Sequence, residues 1–173
     1  MTDFNNYQLI STGFVNGRTA VIDTNYSGSY EIFRLFMFGI DPSSLNAVYG
    51  LTFNNQNIGY LNMNSASGSC VILSNDVTNP VTGHFTLDIT FYWPAFGGSP
   101  QPVTVVGSST YLSTGVSNLV RYEIGGFVVV NAAGGGIPSP FLSITDVLTG
   151  STIVNNIARY NLYGLSGFGA ANI

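Results

Sequence analysis

The apolar positions of this chain recur with period two. The clearest case is His84–Trp93, HFTLDITFYW. Phe85, Leu87, Ile89, Phe91 and Trp93 fall on one side, and His84, Thr86, Asp88, Thr90 and Tyr92 on the other. Five apolar residues in strict alternation predict a strand buried on one face, because successive side chains of a strand point to opposite sides. A second run, Tyr30–Ile40, is apolar on both sides toward its end. A helix of about three turns and a central strand covered on both faces compete for it. The wealth of Phe, with Gly39 closing the run, favours the strand. The same reading predicts strands at Thr19–Asp23, Ala47–Phe53, Ile58–Asn62, Cys70–Ser74, Val103–Val106, Leu119–Val130, Phe141–Val147 and Thr152–Tyr163.

Turn residues separate these runs, as at Asn16–Gly17, Ala66–Ser69, Pro94–Pro102 and Ala132–Pro140. Turns spaced by roughly 8–12 residues are the mark of an all-β sandwich or barrel. Asp41 and Pro42 suit the start of a short helical turn, as N-cap and first helical residue. With no internal repeat, linker or composition shift, residues 1–173 read as one domain. The expected fold is all-β: an antiparallel β-sandwich, jelly-roll-like, with about eight to ten strands. The single Cys rules out the Cys…Trp…Cys core of true immunoglobulin domains.

One stretch competes with this picture. Ile124–Thr145 holds 22 residues without a charge, long enough to cross a bilayer as a helix. Its glycines, two prolines and Asn131 make a poor bilayer segment. It reads instead as a short buried strand at Phe127–Val130, a glycine loop, and the start of the next strand. That loop, with Gly134, Gly135 and Gly136, is expected to face a neighbouring subunit.

The lack of charge is in fact global. Only 7% of residues are charged, against about 25% in an average domain. There is no lysine, and the cations are Arg18, Arg34, Arg121 and Arg159. Asn, Ser, Thr and Gly make up 72 of the 173 residues, so the polar surface is wet but not ionic. Stability should depend weakly on pH and salt. The charge repulsion that keeps soluble monomers apart is missing. A formal net charge of −4 with four scattered arginines excludes direct nucleic-acid binding, which needs clustered cations.

Candidate chemistry is sparse. His84 is the one histidine, and Asp88 lies four residues on, about 13 Å along a strand. That is too far for a triad contact, and no nucleophile elbow accompanies it. No ligand pair is spaced for zinc. Asp76 and Asn79 in Ser74–Asn79 could serve calcium, but an Asx-stabilised turn explains the same residues and is the favoured reading. Cys70 reads as a small buried hydrophobe. No metal, cofactor or catalytic residue is expected, and the chain is not expected to be an enzyme.

Aromatic residues beside Gly and Pro, at Tyr92–Gly98 and Tyr160–Phe168, suit subunit interfaces, which favour Tyr and Phe and deplete Lys. Trp93, Tyr163 and Phe168 join the three loop glycines as candidate interface residues. The end of the chain, from Leu162, reads either as an arm reaching a neighbour with Phe168 as anchor, or as a strand of its own subunit. Exposed sheet edges are commonly blunted by lysine, and this chain has none.

The expectation is therefore a self-assembling structural protein. A virion subunit (capsid, penton or decoration) of a virus of bacteria or archaea leads, at the level of fold class alone. The N-terminus carries no basic or apolar signal region, which fits assembly inside a host cell. A filament or surface-layer subunit using strand donation, located outside the cell, is the alternative. A lectin-like domain with a glycan contact is the second alternative. Expected partners are copies of itself and other structural subunits, with no membrane span.

Overall fold

In a computed structural model of the chain, the structure describes residues 7–15, 20–23, 30, 32–40, 48–53, 60–62, 65–68, 70–74, 85–92, 101–112, 119–130, 141–146 and 158–165. These form twelve strands: β1 Gln8–Val15, β2 Ala20–Asp23, β3 Ile32–Ile40, β4 Tyr49–Phe53, β5 Tyr60–Asn62, β6 Ser65–Gly68, β7 Val71–Ile72, β8 Phe85–Tyr92, β9 Gln101–Leu112, β10 Leu119–Val130, β11 Phe141–Asp146 and β12 Ala158–Leu165. All pairings are antiparallel. The all-β, antiparallel expectation is met.

Eight strands form one sheet in the order β1-β12-β3-β8-β9-β10-β5-β6, and four form the other in the order β2-β11-β4-β7. Setting aside the hairpins β5–β6 and β9–β10, the remaining pairings nest. β1 pairs with β12, β2 with β11, β3 with β8 and β4 with β7. A long hairpin rolled over on itself has this nested order, which is consistent with a jelly roll. Both extra hairpins extend the larger sheet beyond β8.

The two sheets share one core. Phe33, Leu35 and Met37 of β3, Phe85, Leu87, Ile89 and Phe91 of β8, and Val103, Val105 and Tyr111 of β9 meet Tyr49, Leu51 and Val71 of the smaller sheet. Phe33 stacks on Phe91 at 5.1 Å, and Tyr49 meets Phe85 edge-on at 4.7 Å. Polar groups tie the end of β7 to β4 and, through Ser109, to the larger sheet. Leu73 N–H donates to the Tyr49 carbonyl at 2.8 Å, and Ser109 Oγ of β9 donates to the Leu73 carbonyl. Tyr49 N–H donates to Ser74 Oγ at 3.0 Å. The two buried serines thus satisfy backbone groups that would otherwise be costly to bury.

Several strand expectations need correction. β8 alternates between buried and more exposed positions as its sequence demands. β3 is central but is covered on one face only: Phe33, Leu35 and Met37 are buried while Phe38 is exposed, because its other face looks away from the smaller sheet. Gly39 does not close that strand. It takes φ 77°, open to glycine at little cost, within a bulge before Ile40. β9 runs well past Val106, since register with β10 carries it through the polar Gly107–Thr110. β1 and β6 were not foreseen. Phe127 is not buried, because odd positions of β10 point outward. The uncharged run is divided between β10 and β11, and no helix among the described residues is long and apolar enough to cross a membrane. The Asp41–Ser44 turn and the glycine loop lie outside the described residues.

Gly107 sets the distance between β8 and β9. A Cβ there would collide with the Asp88 carbonyl oxygen and lie 2.7 Å from Ile89 Cα. At Gly126 a Cβ would meet only side-chain atoms, Val71 Cγ1 at 2.7 Å. Backbone cannot yield as a side chain can, so Gly107→Ala should destabilise by about 3 kcal/mol and Gly126→Ala by about 1–2 kcal/mol. Thermal denaturation followed by circular dichroism checks this. Equal shifts in Tm would refute the need for a bare Cα between β8 and β9.

Candidate functional site

The outer face of the eight-stranded sheet carries five of the chain's twelve charged residues, three of its four arginines among them. It is built by the positions that alternate with the core: Arg34, Phe36 and Phe38 on β3, Thr86, Asp88 and Thr90 on β8, and Thr104, Val106 and Ser108 on β9. Arg121 and Glu123 of β10 stand opposite Thr110 and Ser108. Asp88 also stands opposite Ser108, so the two carboxylates flank one serine on a single cross-strand row.

Arg34 is the hub. Its Nε and Nη2 donate to Asp88 Oδ1 and Oδ2 at 3.0 and 2.9 Å, the bidentate geometry that fixes a guanidinium in one orientation. Its Cζ lies 4.5 Å from the Phe36 ring centre, and Phe36 meets Tyr163 of β12 edge-on at 6.2 Å. The hydrogen bond to Asp88, aided by the field of that carboxylate, raises the Arg34 pKa against a smaller desolvation effect. A raised basic pKa adds stability that is complete below the ordinary arginine value and is lost only above it. Arg34 therefore holds its charge across the whole physiological range.

The second pair, Arg121 Nε to Glu123 Oε1 at 2.8 Å, is far more open, with side chains 70% and 61% exposed. Arg159 lies over the Phe14 ring at 5.0 Å. A depression of roughly 500 Å3 runs between the two ion pairs, lined by Tyr7, Arg34, Asp88, Val106, Arg121 and Glu123 among others. Its cations and carboxylates balance, which suits neutral polar groups better than a charged ligand.

Apolar side chains share this face. Leu9, Phe14, Phe38, Tyr92, Val106, Leu119 and Phe127 are the large hydrophobics exposed among the described residues. Their register puts all of them here. Phe14 and Phe38 both face Arg159, Tyr92 and Phe127 both face Thr104, and Val106 faces Thr90.

Of the residues marked by sequence, Tyr163 belongs to this face, opposite Arg34. Residues 162–165 complete β12 within their own subunit, in line with the strand reading of this stretch, while residues 166–173 lie outside the described residues. Trp93, Gly134, Gly135, Gly136, Phe168, His84, Asp76 and Asn79 lie outside the described residues. Cys70 is buried. No group of three His, Cys, Asp or Glu that could hold a metal occurs among the described residues. Sequence reasoning missed Arg34, Arg121, Glu123, Arg159, Phe14 and Phe38. Arg34 within an apolar run was the signal that could have shown one side of β3 to be open.

Arg34 and Asp88 are 31% and 40% exposed, with the Phe36 ring against the guanidinium, so their coupling should be about 0.5–1 kcal/mol, against nearly none for Arg121–Glu123. Double-mutant cycles to alanine, read by urea denaturation, test this. Equal coupling in the two pairs would mean that the Phe36 ring does not shield Arg34. In comparisons with known proteins, the chain matches no family model, no curated protein and no solved structure.

Proposed function

We propose that this chain is a structural subunit that assembles with copies of itself, and that the assembly is a virion shell in which it serves as a capsid, penton or decoration protein. The observation that carries the reading is the outer face of the eight-stranded sheet, where seven exposed large hydrophobics share one surface. Such surfaces on ordinary monomers are small, and larger ones mark interaction sites. The near absence of charge adds to this, since little repulsion opposes close packing of copies. The nested strand order is one that viral shells use, along with lectins and other proteins, so fold analogy supports the virion only as a class. No catalytic role is part of the proposal.

Two other readings have an observation behind them. β1, an edge of the larger sheet, carries no charge along QLISTGFV, which suits strand pairing in an extracellular filament or surface layer. The balanced polar depression suits a saccharide, as in a lectin. Light scattering and negative-stain microscopy of the purified chain separate the three. Closed particles or capsomer-like rings are expected. Long fibres would favour the filament. A monodisperse 18.4 kDa species persisting to about 1 mM would exclude any self-association tighter than about −4 kcal/mol and overturn both assembly readings.

A further inference from the structure

We infer that the outer face of the eight-stranded sheet meets the same face of a second copy, about a two-fold axis that crosses the strands between Arg121 and Glu123. The inference rests on the self-assembly reading and adds which surfaces meet and in what register. Strand pairing arranges this face in rows. Phe36, Asp88, Ser108 and Glu123 share one row, from β3 to β10. On one side of it lies the row with Arg159 and Phe38 toward β12 and Thr86, Thr110 and Arg121 toward β10. On its other side Val106 stands opposite Gly125. Leu119 lies one row beyond Arg121, on the same side of β10.

A two-fold contact is self-complementary, so the pattern on one face decides which axis it tolerates. An axis along β8 would set Arg159 against Arg121 of the second copy, and one along β9 would set Glu123 against Asp88. An axis across the strands, between Arg121 and Glu123, sets these two opposite each other twice over. It also lays Phe36 on Phe38 and Arg159 on Asn161. The same axis carries Leu119 onto Gly125 beside Val106. Leu119, 70% exposed, is the most open large hydrophobic among the described residues. Gly125 leaves space above the sheet, and Val106 lines the depression between the ion pairs, so a protruding leucine meets an apolar hollow. Complementary charge then fixes register while apolar contact supplies most of the affinity. Facing sheets pack with strands within about 30° of each other, which keeps such rows matched near the axis. Size agrees. From β1 to β10 the face is roughly 24 Å by 27 Å, about 650 Å2 in plan. Side-chain relief raises the accessible area above the plan area, toward the roughly 800 Å2 per partner of a standard interface.

Two single variants test this, Arg121→Glu and Glu123→Arg. Each sets like charges against each other twice across the axis. At low ionic strength each alone should need at least tenfold higher concentration to associate than the unaltered chain, read by analytical ultracentrifugation. An equimolar mixture should recover association as one-to-one pairs, because one copy then supplies only carboxylates and the other only guanidinium groups. That recovery cannot arise inside one chain, since both variants lose their own Arg121–Glu123 pair. Leu119→Gln should also weaken association at least tenfold, and it carries the test should a charge variant not fold. Circular dichroism and thermal melts establish that each is folded. A mixture as dispersed as its components overturns the inference and leaves self-assembly standing, as do folded variants that associate like the unaltered chain. An unaltered chain that stays monomeric instead removes the self-assembly reading, and the inference with it.

Discussion

The antiparallel pairing of β3 with β8 fixes both faces of the larger sheet at once. With Phe33 opposite Phe91 and Leu35 opposite Ile89, the inward positions complete the core. The same register sets Arg34 beside Asp88 on the outward side, where they form the bidentate pair. A slip by one residue would exchange the two sets, exposing the Phe–Phe stack and burying an arginine. Burying an unpaired charge costs several kcal/mol, so the ion pair guards the register even though it adds little net stability.

The rest of the fold is arranged around this pair. β12 joins β3 on one side and β9 joins β8 on the other, and each carries the alternation onward. Ser109 of β9 reaches across to the Leu73 carbonyl, tying the extended sheet to the smaller one. Gly107 allows β9 to approach β8 closely, which keeps Ser108 and Val106 level with Asp88 and Thr90 on the outer face. The depression between the ion pairs is thus a product of strand register, not of a loop.

Strand content was legible in the sequence because period-two alternation is a local signal. β8 could be read almost residue by residue, since both of its faces are cleanly sorted. β1 escaped because its pattern is broken by a bulge between Leu9 and Ser11 and because its outward residues Leu9 and Phe14 are apolar. The outer face as a site was not legible. Arg34 and Asp88 are 54 residues apart in the chain, and nothing local reports that their strands are neighbours in register. The sequence pointed instead to loops rich in Gly and aromatic residues, where composition is conspicuous but pairing is not recorded.

Low charge and exposed aromatics then stop being separate oddities. A surface of Asn, Ser, Thr and Gly stays hydrated without directing which surfaces meet, because it is nearly the same everywhere. Direction has to come from the few positions that differ. On the described part of this molecule many of those positions converge: three arginines, two carboxylates and seven large hydrophobics lie on one side of one sheet. The scarcity of charge in the chain as a whole raises the weight of each of them. A single ion pair on a lysine-rich surface competes with dozens of alternatives, whereas here Arg121 and Arg159 have few carboxylates to choose among. Under the proposed self-assembly, specific contact between copies and a nearly uncharged composition would both follow from one economy in ionic groups.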